Sequence, residues 1–137
     1  MFVAEQIIKQ MIQSRFPVKN QQVIVLGMTF KEDVPDLRNS KLIDVVRELQ
    51  ACGAQVYIHD PIASTAEAEH EYGVRLIPCE ELPKSAAIVT AVSHRLYREM
   101  GLEALCMKLQ PGGVFSDVKS SYDAADLRSR GISVWRL

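Results

Sequence analysis

A short apolar run followed by a polar loop and a helical pattern constrains the fold of this chain most. Residues 22–26 read Gln-Val-Ile-Val-Leu, are rich in β-branched side chains and end at Gly27. Apolar residues then recur at helical spacing from Leu42 to Leu49, and Gly53 follows them. A continuous apolar run of this length is typical of a central parallel strand that is covered on both faces. The pattern predicts a strand, a loop and a helix in an α/β sheet, in which ligands bind beyond the carboxyl ends of the strands.

The rest of the chain continues this alternation of strands and helices. Further strands are predicted over 55–59, 86–92, 114–118 and 132–135, with a short strand or extended segment over 74–77. Helices are predicted over 64–72, 102–109 and 124–130, and the segment 14–21 is a candidate linker. Strands that alternate with helices indicate a doubly wound, mostly parallel sheet. We therefore predict an α/β, Rossmann-like, three-layer α/β/α fold with five to six strands.

Length and charge restrict the class of partner. A chain of 137 residues with 47% apolar content is sufficient for one buried core. The net charge is −1 and no run of Lys or Arg exceeds two residues, so we expect no nucleic-acid partner. No apolar stretch approaches the roughly 18 residues of a membrane span, and no signal-peptide pattern opens the chain. These features predict a cytoplasmic protein with a small ligand and no membrane partner.

The cysteines and histidines give no sign of a metal site. Cys52, Cys79 and Cys106 lie far apart and form no Cys-x-x-Cys pair. The three histidines are equally scattered, without the spacing of metal ligands. We predict structural or incidental thiols, no disulfide framework and no metal.

The loop after the first strand carries two cations suited to an anion. Lys31 supplies a point charge, and Arg38 a planar fork that can bind two phosphate oxygens. Asn39 or Ser40 can cap the following helix, whose free N–H groups add partial positive charge. Three acidic residues also lie in this loop, so charge spacing alone leaves open a solvated loop with local ion pairs.

The loop after the first predicted strand lacks the sequence motif of a dinucleotide-binding site. Gly-x-Gly-x-x-Gly is expected after the first strand, but only Gly27 is present, followed by Met28, Thr29 and Phe30. Asp60 follows the second predicted strand, where a dinucleotide domain binds a ribose. Without the glycines, an Asp-Pro turn is the favoured interpretation of Asp60.

The literal sequence adds a family resemblance. Segment 27–40, Gly-Met-Thr-Phe-Lys-Glu-Asp-Val-Pro-Asp-Leu-Arg-Asn-Ser, resembles the signature that opens the C-terminal domain of the UDP-glucose/GDP-mannose dehydrogenase family. His59-Asp60-Pro61 and the Pro-Gly-Gly-Val-Phe-Ser-Asp-Val-Lys-Ser segment over 111–120 also match family patterns, in the right order. The resemblance covers essentially the whole chain. It is most similar to the branch of UDP-N-acetyl-D-glucosamine/galactosamine 6-dehydrogenases.

The resemblance implies a domain of a larger enzyme. Residues 1–20 would be the tail of a central linker helix, and 21–137 the C-terminal nucleotide-sugar-binding domain. The parent would use NAD to oxidise the C6 hydroxyl of a UDP-hexose or UDP-N-acetylhexosamine to a uronic acid for surface polysaccharide such as capsule, and would form a homodimer through the central helix. NAD would be bound mainly by an N-terminal domain. The family's nucleophilic cysteine motif, Gly-Gly-x-Cys-x-x-Lys-Asp, is not in this chain, so we expect no catalytic residue here and an inactive isolated chain.

The resemblance also implies roles for four residues. Phe30 and Lys31 would line the UDP-sugar site, and Lys119 would meet the nucleotide-sugar from the neighbouring strand end. Some members have arginine in place of Lys119, and lysine lacks its two-pronged geometry. Arg38 would reach across the domain cleft towards NAD. Phe30 as a loop anchor, Lys119 as a solvated turn residue, and a stand-alone nucleotide-binding or regulatory module remain the alternatives.

Overall fold

The computed structural model describes residues 2–29, 33, 37 and 42–136, and its sheet has five strands. The strands are β1 (Gln22–Leu26), β2 (Gln55–His59), β3 (Ser85–Thr90), β4 (Leu109–Asp117) and β5 (Ser133–Arg136). Their order in the sheet is β2-β1-β3-β4-β5, and every neighbouring pair is parallel. The predicted Rossmann-like, doubly wound α/β fold is confirmed.

Helices cover both faces of this sheet. They are α1 (Phe2–Gln13), α2 (Leu42–Ala51), α3 (Thr65–Tyr72), α4 (Arg95–Cys106) and α5 (Ala124–Ser129), with a 3₁₀ turn at Cys79–Glu81. Alternate residues of β1 enter two separate apolar clusters, because successive side chains of a strand point to opposite faces. Val23 and Val25 pack with α1 and α2, whereas Ile24 and Leu26 pack with α4 and α5. The result is the three-layer arrangement.

Helix α1 belongs to the same core as the sheet. Ala4, Ile7 and Met11 are fully buried and recur at the spacing of one helical face. They join the cluster that contains α2, and α1 also contacts β4 and β5. Burial of side chains as large as Ile7 and Met11 stabilises a fold by about 1.5–3 kcal/mol each. The domain boundary at residue 20 stays a prediction, but α1 packs as part of this unit.

Two elements begin several residues before their predicted starts. The helix predicted over 102–109 begins earlier, at Arg95, and contains one non-helical residue, Gly101, with a φ of 81°. The strand predicted over 114–118 begins at Leu109. The early helix start has a long-range cause, because the Asp33 carboxylate accepts a hydrogen bond from the Arg95 N–H at 2.7 Å. A helix cap supplied from 62 residues away leaves no local signal in the sequence.

Candidate functional site

The order of the strands places a crevice at the carboxyl ends of β1 and β3. The chain leaves β1 towards β2 on one side, and β3 lies on the other, so the winding direction reverses between β1 and β3. In open α/β sheets such a reversal point is the usual ligand site. Gly27 closes β1 with a φ of 95°, and a Cβ atom there would lie 2.7 Å from Val92 Cβ. Glycine is therefore required where the two strand ends approach each other.

A buried carboxylate, that of Asp60, joins the turn after β2 to the loop after β1 at this edge of the sheet. Asp60 Oδ2 accepts hydrogen bonds from the N–H groups of Met28 at 2.7 Å and Thr29 at 3.1 Å. Its Oδ1 atom accepts from the N–H groups of Ile62 at 3.0 Å and Ala63 at 2.9 Å. The side chain is fully buried. Asp60 thus forms the expected Asp-Pro turn and also binds the start of the loop after β1.

The electrostatics favour an ionised Asp60. Burial by itself raises the pKa of this carboxyl group, because a buried charge loses its hydration. The hydrogen bonds from His94 and from the Met28 and Ile62 N–H groups outweigh burial and hold the pKa well below its usual value. Both oxygens are occupied by protein donors, so Asp60 does not fit the role of a ribose ligand.

His94 is the second centre of this network and is fully inaccessible to solvent. Its Nε2 atom lies 2.9 Å from Asp60 Oδ2 and 2.9 Å from Thr29 Oγ1. Its Nδ1 atom accepts a hydrogen bond from the Asp33 N–H at 3.0 Å. A backbone N–H can only donate, so Nδ1 carries no proton and the geometry corresponds to the neutral ring with its proton on Nε2.

Asp33 continues the network to the surface. Its backbone has a φ of 59°, and its carboxylate accepts from the Arg95 N–H and, at 2.9 Å, from Arg98 Nη2. The hydrogen bonds from Arg95 and Arg98 hold the pKa of Asp33 below its usual value. The ion pair that the described residues show for this loop acid is made with Arg98 of helix α4.

Tyr97 packs beside the network on the α4 side. Its hydroxyl donates to the His59 carbonyl oxygen at 3.0 Å and lies 2.7 Å from His59 Nδ1. Its ring centroid is 5.9 Å from that of His94. Burial raises the pKa of Tyr97, so the hydroxyl stays protonated.

Lys119 lies at the carboxyl end of β4, on the same edge of the sheet. It is exposed on the turn that follows Asp117. The buried Asp117 carboxylate shapes this turn, since it accepts from the N–H groups of Ser121 at 3.0 Å and Tyr122 at 2.8 Å. Among the described acidic side chains, none forms an ion pair with Lys119.

The other predicted site residues, Phe30, Lys31 and Arg38, lie outside the described residues, as do the helix-cap candidates at 39 and 40. The described residues of the loop flank them. Thr29 and Asp33 are bound by His94, and Leu37 is fully buried with its carbonyl oxygen accepting from the Tyr72 hydroxyl. Sequence reasoning missed His94, because its partners are 34 to 65 residues away.

Three further observations concern metal ligands, cysteines and membrane-spanning helices. Within the described ranges, no three His, Cys, Asp or Glu side chains converge as metal ligands would. The three cysteines are free thiols, with Cys52 exposed. None of the helices that the structure describes is both long enough and apolar enough to cross a bilayer.

The sheet order and the covering helices define a Rossmann-like α/β domain. The family model described as "UDP-glucose/GDP-mannose dehydrogenase family, UDP binding domain" matches residues 24–124. The chain belongs to this family, and the predicted resemblance is confirmed.

Similar proteins agree with this assignment. The chain is 36% identical over 129 residues to a UDP-N-acetyl-D-glucosamine 6-dehydrogenase of Pseudomonas aeruginosa, a match that covers 93% of this chain and 31% of that protein. It is 43% identical over 104 residues to the Salmonella typhi enzyme of the same name, covering 74% and 24%. The solved NDP-N-acetyl-D-galactosaminuronic acid dehydrogenase of Methanosarcina mazei has the same fold, with a TM-score of 0.86 at 18% identity, over 98% of this chain and 28% of that one. The chain spans about a quarter to a third of these relatives.

Proposed function

We propose that this chain is the UDP-sugar-binding domain of an NAD-dependent UDP-sugar 6-dehydrogenase that converts a UDP-N-acetylhexosamine to its uronic acid for surface polysaccharide. One observation carries the proposal. The family signature over 27–40 begins at the reversal point of the sheet, and Lys119 follows a strand on the same edge. Basic groups at one edge suit the diphosphate of a nucleotide-sugar. The relatives named as UDP-N-acetyl-D-glucosamine 6-dehydrogenases support the N-acetylhexosamine branch.

The proposed roles divide between substrate and cofactor. Lys31 and Lys119 bind the UDP part, Phe30 lines the same site, and Arg38 reaches towards NAD. The loop after β1 does not itself fit a dinucleotide, because it lacks the glycine motif. Both carboxylate oxygens of Asp60 already accept hydrogen bonds from the protein and do not suit a ribose. NAD would therefore bind mainly to residues outside this chain.

In this function the domain contributes binding energy and not a reacting group. Contacts to the remote UDP part fix the position of the sugar C6 atom, so they act on turnover as well as on affinity. We propose that the parent enzyme is a cytoplasmic homodimer joined through its central helix, and that the 137-residue chain alone has no dehydrogenase activity. The family match favours this function over a stand-alone binding module.

Kinetics of the full-length enzyme test the proposal. Lys31→Ala is expected to lower kcat/KM by at least about tenfold, or about 1.4 kcal/mol, since it removes a phosphate contact. The matched control is Lys84→Ala, because Lys84 is an exposed lysine at the opposite, amino-terminal edge of the sheet. If Lys31→Ala had the same kcat/KM as Lys84→Ala, the proposal that this loop binds the UDP-sugar would be refuted.

A further inference from the structure

We propose that His94 is a positioning residue for the loop that carries Lys31, an inference that rests on the proposed function. The two nitrogens of its ring contact Thr29 and Asp33, the residues on either side of positions 30–32. Only three residues separate these two attachment points. One buried imidazole therefore holds both ends of the segment that contains Phe30 and Lys31.

The His94 ring is itself held in place by Asp60. Asp60 Oδ2 lies 2.9 Å from Nε2 and also accepts from the Met28 and Thr29 N–H groups. The fixed carboxylate keeps the Nε2 proton and the ring orientation, so that Nδ1 faces the Asp33 N–H as an acceptor. Asp33 is held in turn by the N–H of Arg95 and the guanidinium of Arg98. The chain of contacts runs from the end of β2 through the loop to the start of α4.

The same contacts exclude a direct role in chemistry for His94. The side chain is buried, and both nitrogens are occupied by protein partners. A general acid or base needs a nitrogen within hydrogen-bond reach of the substrate. His94 must therefore act through the residues that it holds.

The tautomer and the attachment can be measured in the ligand-free chain. The ¹⁵N spectrum of His94 should show a protonated Nε2 and an unprotonated Nδ1. Hydrogen exchange of the Asp33 amide should accelerate at least tenfold in His94→Ala, while the Ile62 amide, which donates to Asp60 Oδ1, serves as the internal reference. Unchanged exchange at Asp33, or a proton on Nδ1, would overturn the attachment.

Two conservative variants distinguish the contact made by Nδ1 from the contacts made by Nε2. They also keep the test valid if His94→Ala fails to fold. His94→Asn retains an acceptor near the Nδ1 position and should preserve protection of the Asp33 amide. His94→Gln retains a donor near the Nε2 position and should lose that protection while it keeps a contact with Asp60. His70→Ala is the matched control, because His70 is exposed on α3. Equal behaviour of the Asn and Gln variants would contradict the assigned geometry.

A double-mutant cycle in the full-length enzyme tests whether the attachment serves UDP-sugar binding. Changing His94 to Gln should lower UDP affinity about tenfold in the wild-type background and by less than about twofold beside Lys31→Ala, because its effect passes through Lys31. Additive losses, or an unchanged affinity, would overturn the positioning role. If the wild-type enzyme does not bind UDP, the proposed function fails, while the exchange data still decide whether His94 holds the loop.

Discussion

Two buried aspartates at the carboxyl edge of the sheet perform different structural tasks. Asp117, at the end of β4, accepts from the N–H groups of Ser121 and Tyr122 and so shapes the turn that follows it. Asp60, just after β2, does the same for Ile62 and Ala63 through one oxygen. Its second oxygen, however, joins the loop after β1 to the segment after β3.

The difference shows how a single acceptor can couple distant parts of the chain. The bonds from Met28 and Thr29 cross 32 and 31 residues, and the contact with His94 crosses 34. Among the described residues, the Asp117 carboxylate accepts one long-range hydrogen bond, a weaker one from Thr90 Oγ1 at 3.3 Å. The turn that bears Lys119 is thus built locally, whereas the loop that bears Lys31 depends on three strand ends.

The largest expected effect is on stability at Asp60. Asp60→Asn should lower the free energy of unfolding by about 3 kcal/mol, because it removes a buried charge that five donors share. Asp117→Asn, with its mainly local contacts, should cost about 1–2 kcal/mol. Urea unfolding of the two variants beside wild type measures both values. Equal losses would break the distinction between the two aspartates.

Lowering the pH should reduce the stability that Asp60 contributes to the fold. The pKa of folded Asp60 lies below its value of about 3.9 in the unfolded chain, so its ionised form stabilises the fold at neutral pH. That contribution is lost as the pH falls from about 5 towards the folded pKa. Between pH 7 and pH 3 the stability of Asp60→Asn should therefore fall less than that of wild type. Parallel pH profiles of unfolding would contradict an ionised, hydrogen-bonded Asp60.

The smallest expected effect is at the exposed end of the network. Arg98→Ala removes the ion pair with Asp33, in which both side chains are nearly half exposed. Such surface pairs contribute at most about 1 kcal/mol, so thermal unfolding should shift little. The Arg95 N–H still binds the Asp33 carboxylate in this variant. A loss as large as that of Asp60→Asn would mean that the network is held from the surface and not from its buried centre.

The sequence predicted the parts of this molecule that depend on local patterns. Apolar β-branched runs located β1 and β2, and Ser64 was correctly placed at the start of α3, where its hydroxyl accepts from the Glu67 N–H. Glycine at position 27 marked the strand end at the crevice. These features need only neighbouring residues, so their physical causes are visible in the sequence.

The parts that were missed depend on residues that meet only after folding. Nothing near His94 in sequence indicates that its ring binds Thr29, Asp33 and Asp60. The start of α4 at Arg95 was missed for the same reason, since Asp33 supplies its cap from another loop. The roles of Phe30, Lys31, Arg38 and Lys119 came from resemblance and stay predictions.

Titration of the ¹⁵N-labelled chain with UDP tests the central claim most directly, namely that the carboxyl edge around β1, β3 and β4 binds a UDP-sugar. We expect saturable shifts in the amides of Thr29, Asp33 and Lys119, with none at Lys84 on the opposite edge. Saturable shifts confined to other surfaces, or no shifts at millimolar UDP, would contradict a UDP site at this edge of the sheet.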